Sequence, residues 1–127
     1  MSGRLAIGIG CRKGTSAEAI LRLVVGVATP DLPHAVGLFT IEDKRGEAGL
    51  NEAAESLCLP LVFLSRGALA AMADRIATPS PAALARFGVP SVAEAAALAA
   101  FAGRARLIVT RRAEEGVSVA VAEEILE

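Results

Sequence analysis

The residues best suited to chemistry in this chain lie within nine positions, Gly8-Ile9-Gly10-Cys11-Arg12-Lys13-Gly14-Thr15-Ser16. Glycines at the end of a strand let the backbone turn sharply and come close to a ligand. A helix starting after them would present unpaired N–H groups and the positive end of its dipole, an arrangement that attracts anions. Arg12 and Lys13 add two cations, and Thr15 and Ser16 add hydroxyls. The competing reading is that the glycines only shape the turn and the two cations are solvated. Cys11 lies beside the cations and near a helix start, a setting that lowers a thiol pKa. It reads as a packing or contact residue, with a nucleophile as the alternative. Cys58 reads as a core residue.

The turn fits neither common nucleotide pattern. Gly14 is followed by Thr15 rather than lysine, so the phosphate-loop sequence GxxxxGK[ST] is absent, and the spacing is GxGxxxG rather than GxGxxG. Glu42 or Asp43 could still serve as a ribose-binding acid after a second strand. Binding of a nucleotide or phosphometabolite through the GxGxxxG turn is therefore the second reading.

The elements that must position the turn follow from periodicity. Residues 5–10 read as a short buried strand. Ile20, Leu23, Val24 and Val27 recur at helical spacing, with Thr15 and Glu18 in the capping-box relation at the helix start. Residues 35–41 read as a second strand, and Leu50, Ala53, Ala54, Leu57 and Cys58 as the apolar stripe of a second helix. Residues 61–64 read as a third, fully buried strand, with a short helix after Ser65. Ser80 and Pro81 suit an N-cap and first helical position, and Gly88 closes that helix. Ser91 and Glu94 repeat the capping-box spacing ahead of an alanine-rich helix. Residues 106–110 and 117–122 read as a fourth and a fifth strand joined by a polar turn over 112–116. The expectation is a single α/β domain over residues 1–127, with a mainly parallel five-stranded sheet, helices on both faces and a C-terminal β-hairpin.

Placing the strands exposes a second feature. Arg12-Lys13, Lys44-Arg45, Arg66 and Arg111-Arg112 each follow one of the first four strands. In a parallel sheet these carboxyl ends share one edge, where α/β ligands bind. Seven of the 13 basic residues would then crowd one rim of a chain with net charge −1. Such a rim suits a ligand with several negative charges spread over a wide area. Arg86, on the short helix after Pro81, is expected away from it.

Composition excludes several classes. A balanced charge and four phenylalanines, with no Trp or Tyr, argue against nucleic-acid binding. Two cysteines and one histidine, His34 in an expected loop, argue against a metal site, a triad and a disulfide framework. No apolar run approaches the roughly 18 residues of a membrane span, and the start carries no signal-peptide pattern, so a cytoplasmic protein without membrane contact is expected. No cofactor is expected. The alanine-rich, apolar chain has the makings of a homo-oligomer.

The string GIGCRKGTS, followed far downstream by FGVPSVAEAAALAA, resembles the CbiG C-terminal family of cobalamin-biosynthesis proteins, whose stand-alone form is CobE. The segment IEDKRGEAGLNEAAESLCLPLVFLS fits as well, with Lys44, Glu47 and Leu50 on the family's Lys-x-x-Glu-x-x-Leu pattern, and LIVTRRAEEGVSVAVAEE is similar to its closing hairpin. The resemblance covers nearly the whole chain. It implies a role in building the corrin ring, with a polycarboxylate corrin or precorrin intermediate as the small-molecule ligand and other enzymes of the pathway as partners. CbiG-type proteins open a δ-lactone of cobalt-precorrin-5A and release acetaldehyde. Only their C-terminal domain is matched, so hydrolase activity is not carried over directly; an enzyme here would be a hydrolase of such a lactone, or an accessory domain for one. Arg111 and Arg112 stand where the family tends to have lysine, a change an electrostatic role survives and lysine proton transfer does not. The turn, the basic rim and the resemblance together set the ligand-binding candidates as Gly8, Gly10, Cys11, Arg12, Lys13, Gly14, Thr15, Ser16, Lys44, Glu47, Ser91, Glu94 and Arg111, with no catalytic residue assigned.

Overall fold

The computed structural model describes residues 3–126, the side chain of Asp31 excepted. The chain runs β1 (Leu5–Cys11), α1 (Ala17–Ala28), β2 (Ala35–Ile41), α2 (Ala48–Leu57), β3 (Leu61–Leu64), α3 (Arg66–Ala70), α4 (Pro81–Phe87), α5 (Val92–Ala99), β4 (Ala105–Glu114) and β5 (Val117–Glu124). Short 3-10 turns cover Thr29–His34, Glu42–Lys44 and Ala73–Arg75. The strands form one sheet in the order β3-β2-β1-β5-β4.

The sheet is mixed, which corrects the mainly parallel expectation. β1–β2 and β2–β3 pair in parallel, while β1–β5 and β5–β4 are antiparallel. The reason is the hairpin. Glu114 pairs with Val117, leaving a two-residue turn in which Glu115 and Gly116 both have positive φ (49° and 81°). That geometry matches the twist of an antiparallel pair. β5 then lies between β1 and β4, so β4 again runs in the direction of β1. Four carboxyl ends do share one edge, although only two of the four pairings are parallel.

Side chains of β1 alternate between faces. Leu5, Ile7 and Ile9 pack with Ile20, Val24, Leu50 and Ala53 of α1 and α2. Ala6 packs on the other face with Phe39 and Ala96 of α5. Helices therefore cover both faces. α5 lies against the sheet backbone itself: a Cβ on Gly8 would stand 1.9 Å from the Ala93 carbonyl oxygen. Seven consecutive residues of α5, Val92 to Leu98, are buried, and the run of alanines is what permits so close an approach.

Several local expectations change. α1 is capped by Ser16, whose Oγ accepts from the Ala19 N–H, while Thr15 Oγ1 donates to the Arg12 carbonyl at 2.6 Å. Cys58 is exposed, ending α2 in the left-handed conformation at φ 57°. β3 is half-buried because it forms the edge of the sheet. β4 extends to Glu114, so Arg111 and Arg112 lie inside the strand rather than after it.

Candidate functional site

The sheet's carboxyl edge carries a cleft of about 360 Å³ between the end of β1, α4, the start of α5 and the β4–β5 hairpin. Its floor is narrow, since a Cβ on Gly10 would stand 2.8 Å from Ser118 Oγ and 3.5 Å from Val92 Cβ. Cys11, Arg12, Phe87, Ser91, Val92 and Arg111 line it.

Arg12 and Arg111 line the cleft beside Glu114 and Glu115, the latter paired with Arg22, and Lys44 adjoins it through Phe87. Arg12 is exposed; its N–H donates to the Gly116 carbonyl at 2.9 Å and its side chain runs across Gly116. Arg111 is half-buried, and its Nε is buried without a hydrogen-bond partner. Lys44 is only 7% exposed, with its ammonium 5.7 Å from the centre of the Phe87 ring. Among the described residues none of the three has a carboxylate within ion-pair distance, whereas Arg4, Arg22, Arg66 and Arg106 each have one. A buried charge without a partner is costly unless something neutralises it.

Arg111 reaches the cleft through a bulge. Val109 pairs with Val121 and Arg112 with Val119, so two residues of β4 oppose one of β5. The Arg111 N–H, released from the ladder, donates to Glu94 Oε2 at 2.8 Å. Glu94 Oε1 accepts from the N–H groups of Ala77 (2.8 Å) and Thr78 (3.0 Å). Glu94 is fully buried, and Ser91 caps α5 by accepting from the Glu94 N–H at 3.2 Å. Glu94 thus stands behind the cleft wall, joined to backbone from two other segments.

The glycine turn is arranged differently from the expectation of an open backbone anion site. The Gly14 N–H donates to Glu47 Oε1 at 2.8 Å, and the Thr15 N–H to the Arg12 carbonyl at 3.2 Å. The hollow beside Gly14, at the starts of α1 and α2, is lined by Glu18, Glu47 and Glu52. Three carboxylates stand where a phosphate would need positive charge, which weighs against the nucleotide reading. The Lys-x-x-Glu-x-x-Leu segment divides its work: Lys44 lies beside Phe87, Glu47 holds the turn, and Leu50 is buried in the core. Gly14 has φ 78° with nothing within 4 Å of its missing Cβ, so its requirement is conformational.

Cys11 is half-buried, and burial pushes its thiol up to about 11, against the opposing pull of Lys44. At neutral pH it is a protonated packing group. His34 is exposed at the amino end of β2, the far edge of the sheet from the cleft. Lys13 is exposed and outside the cleft lining; Arg112 lines a groove with Arg22 and Val27 on the α1 side. Arg66 is held bidentately by Asp43 (3.1 and 2.5 Å), which keeps that carboxyl below its usual range. Arg86 is not remote from the rim: its guanidinium lies 6.0 Å from the Phe87 ring, which Lys44 and Arg66 also approach. Sequence reasoning missed Phe87 and Ser118. A signal for Ser118 exists, since it is the one hydroxyl on the alanine face of β5.

The comparisons with known proteins agree with this architecture. Residues 5–122 match the family described as cobalamin synthesis G, C-terminus. The chain belongs to the CbiG C-terminal family. Protein CobE from a Sinorhizobium species is 32% identical, over 93% of this chain and 79% of that protein. The crystal structure of CobE, a protein from the cobalamin (vitamin B12) biosynthetic pathway, superposes with a TM-score of 0.91 at 36% identity, covering 100% of this chain and 94% of that one. The cobalamin biosynthesis protein chiG from Agrobacterium tumefaciens C58 gives 0.73 at 35% identity, covering 97% and 99%. This member of the CbiG C-terminal family is thus a cobalamin-biosynthesis protein. Among its described residues no single helix is long and apolar enough to cross a membrane.

Proposed function

We propose that the cleft binds a corrin precursor by an edge that carries carboxylates. The observation that carries this reading is the group of Arg12, Lys44 and Arg111, two of them wholly or partly withdrawn from water and none ion-paired, although Glu114 and Glu115 share the lining. Charge-assisted bonds to such groups are worth roughly 1.5–3 kcal/mol each, well above the 0–1 kcal/mol of screened surface pairs. Ser91 and Ser118 add hydroxyls, while Phe87 and Val92 offer apolar surface for the body of the ring. At about 360 Å³ the cleft is at the small end for a ligand pocket, so it takes one edge of a tetrapyrrole and leaves the rest outside. Membership of a cobalamin-biosynthesis family supports the ligand class. With Cys11 protonated and His34 at the opposite edge, the side chains at the cleft favour binding and orientation over nucleophilic attack. The proposed setting is the cytoplasm, with the ligand passed to or from other enzymes of the pathway.

Titration with purified precorrin intermediates, read by visible absorbance and by mass analysis of whatever is released, tests this. The expected result is saturable binding with the intermediate recovered intact. Tight binding of nucleotides with no response to any precorrin would overturn it.

A further inference from the structure

We propose that Glu94 is a positioning residue, whose buried carboxylate couples the two walls of the cleft and sets Arg111 toward the ligand. The proposal rests on the reading of the cleft as an anion site. One oxygen of Glu94 takes the N–H groups of Ala77 and Thr78, in the connection that leads to Ser80 and the α4 wall. The other takes the N–H of Arg111, on the hairpin wall. Both walls therefore hang from a carboxylate on α5, the helix least free to move, because it sits directly on the β1 backbone at Gly8. Phe87 packs the α4 wall on Ile41, Leu69, Val89 and Val92, and Glu94 supplies the side-chain bonds to the connection before it. No residue of α4 is buried, and its flanking chain is closed by the bond from the Ser80 N–H to the Pro90 carbonyl at 2.6 Å.

The Arg111 side has the same dependence. Its N–H has left the β4–β5 ladder at the bulge, and its Nε has no partner inside the protein. Glu94 is thus the polar contact that fixes where this residue stands. A capping role for Glu94 alone would need only local bonds at the start of α5; here both oxygens leave the helix. Glutamine in its place would turn an NH2 toward an N–H group and lose one of the two walls.

The test uses the intact protein in two readouts. In the first, the Arg111 Nε–H signal is followed by NMR without ligand. That signal should shift in Glu94→Gln as the side chain leaves its place, and exchange of the Arg111 backbone amide, which makes the bond to Glu94, should speed up about tenfold or more, while the amide of Leu38 keeps its protection. In the second, uroporphyrin, a tetrapyrrole ringed by carboxylates, is titrated against the parent, Glu94→Gln, Arg111→Ala and the double variant. Glu94→Gln and Arg111→Ala should each weaken binding, and the double variant should lose less than the sum of the two. Additive losses, or an unchanged Nε–H signal in a folded Glu94→Gln protein, would overturn the proposal. Should that variant not fold, Glu94→Asp, which retains the charge but shortens the reach, should show the same Nε–H change, and an unchanged signal there is equally fatal. Failure of the parent to bind any tetrapyrrole sinks the anion-site reading, and with it the ligand-facing half of this proposal; the ligand-free signal then decides the coupling.

Discussion

Two hollows lie at the same edge of the sheet and teach opposite lessons about charge. One sits where α1 and α2 begin, with helix N-termini and a glycine turn, the usual ingredients of a backbone anion site. Glu18, Glu47 and Glu52 line it, and Glu47 already bonds the Gly14 N–H. The other, beneath α4 and the hairpin, is lined by Arg12 and Arg111 beside Glu114 and Glu115, and adjoins the buried Lys44 through Phe87. A helix start attracts anions only while its N–H groups are free. Here carboxylates alone charge the first hollow and take up a turn N–H, while the second has carboxylates as well but keeps cations that none of them pairs. The difference sets a turn that the chain satisfies by itself beside a cleft whose cations it leaves unpaired.

The largest way to break this contrast is Gly8→Ala. The new Cβ would meet the Ala93 carbonyl oxygen at 1.9 Å, backbone against backbone, and α5 would have to lift from the sheet. A loss of about 3 kcal/mol in chemical denaturation is expected, at the upper end of overpacking costs, together with loss of ligand binding, because α5 forms part of the cleft wall. A smaller effect should come from Glu47→Ala, which removes the bond to the Gly14 N–H. About 1 kcal/mol of stability should go, with tetrapyrrole affinity close to the parent's. A large loss of affinity would move the site to the acidic hollow. Gly14→Ala strains a residue at φ 78° in otherwise open space, so roughly 1 kcal/mol is expected in thermal or denaturant unfolding, with binding kept.

The least perturbing test is chemical. Cys58, exposed, should react with a thiol reagent at neutral pH, while Cys11 should resist, since burial lifts its thiol from 9.0 to about 11. Because the folded protein holds the Cys11 proton more tightly than the unfolded chain, this contribution to stability is intact below pH 9 and lost as pH rises toward about 11. Rapid alkylation of Cys11 at neutral pH in the folded protein would speak for an activated thiol instead.

Much of the fold was legible from local rules. The strand at residues 35–41 and the caps at Ser65, Ser80, Gly88 and Ser91 appear where turn chemistry and periodicity put them. The sheet's mixed character was not, because periodicity assigns strands without stating their neighbours. A tight polar turn implies an antiparallel pair, but not that β5 would insert beside β1. The basic residues were legible near the strand ends, but not that Arg112 would face the α1 side, Lys13 lie outside the cleft and Arg66 pair with Asp43. Which of them turn inward was not legible either, since that depends on the bulge before Arg112 and on the 3-10 turn that buries Lys44. Cys58 was misread as core because helical spacing marks a face and not the point where the helix stops. Glu94 was visible as a capping-box residue, yet its three bonds come from segments 16 or 17 residues away.

The claim that the cleft's unpartnered cations meet the ligand is tested most directly at Lys44. Uroporphyrin affinity and thermal stability should be measured for Lys44→Met beside Arg106→Ala, a cation at the far edge already paired with Glu123 at 2.8 Å. Removing a buried, unneutralised charge should leave stability unchanged or higher. It should also lower affinity about tenfold or more, the worth of one charge-assisted contact, and flatten the salt dependence of binding, while Arg106→Ala binds like the parent. Parent-like affinity in Lys44→Met, or equal losses in the two variants, would contradict the account.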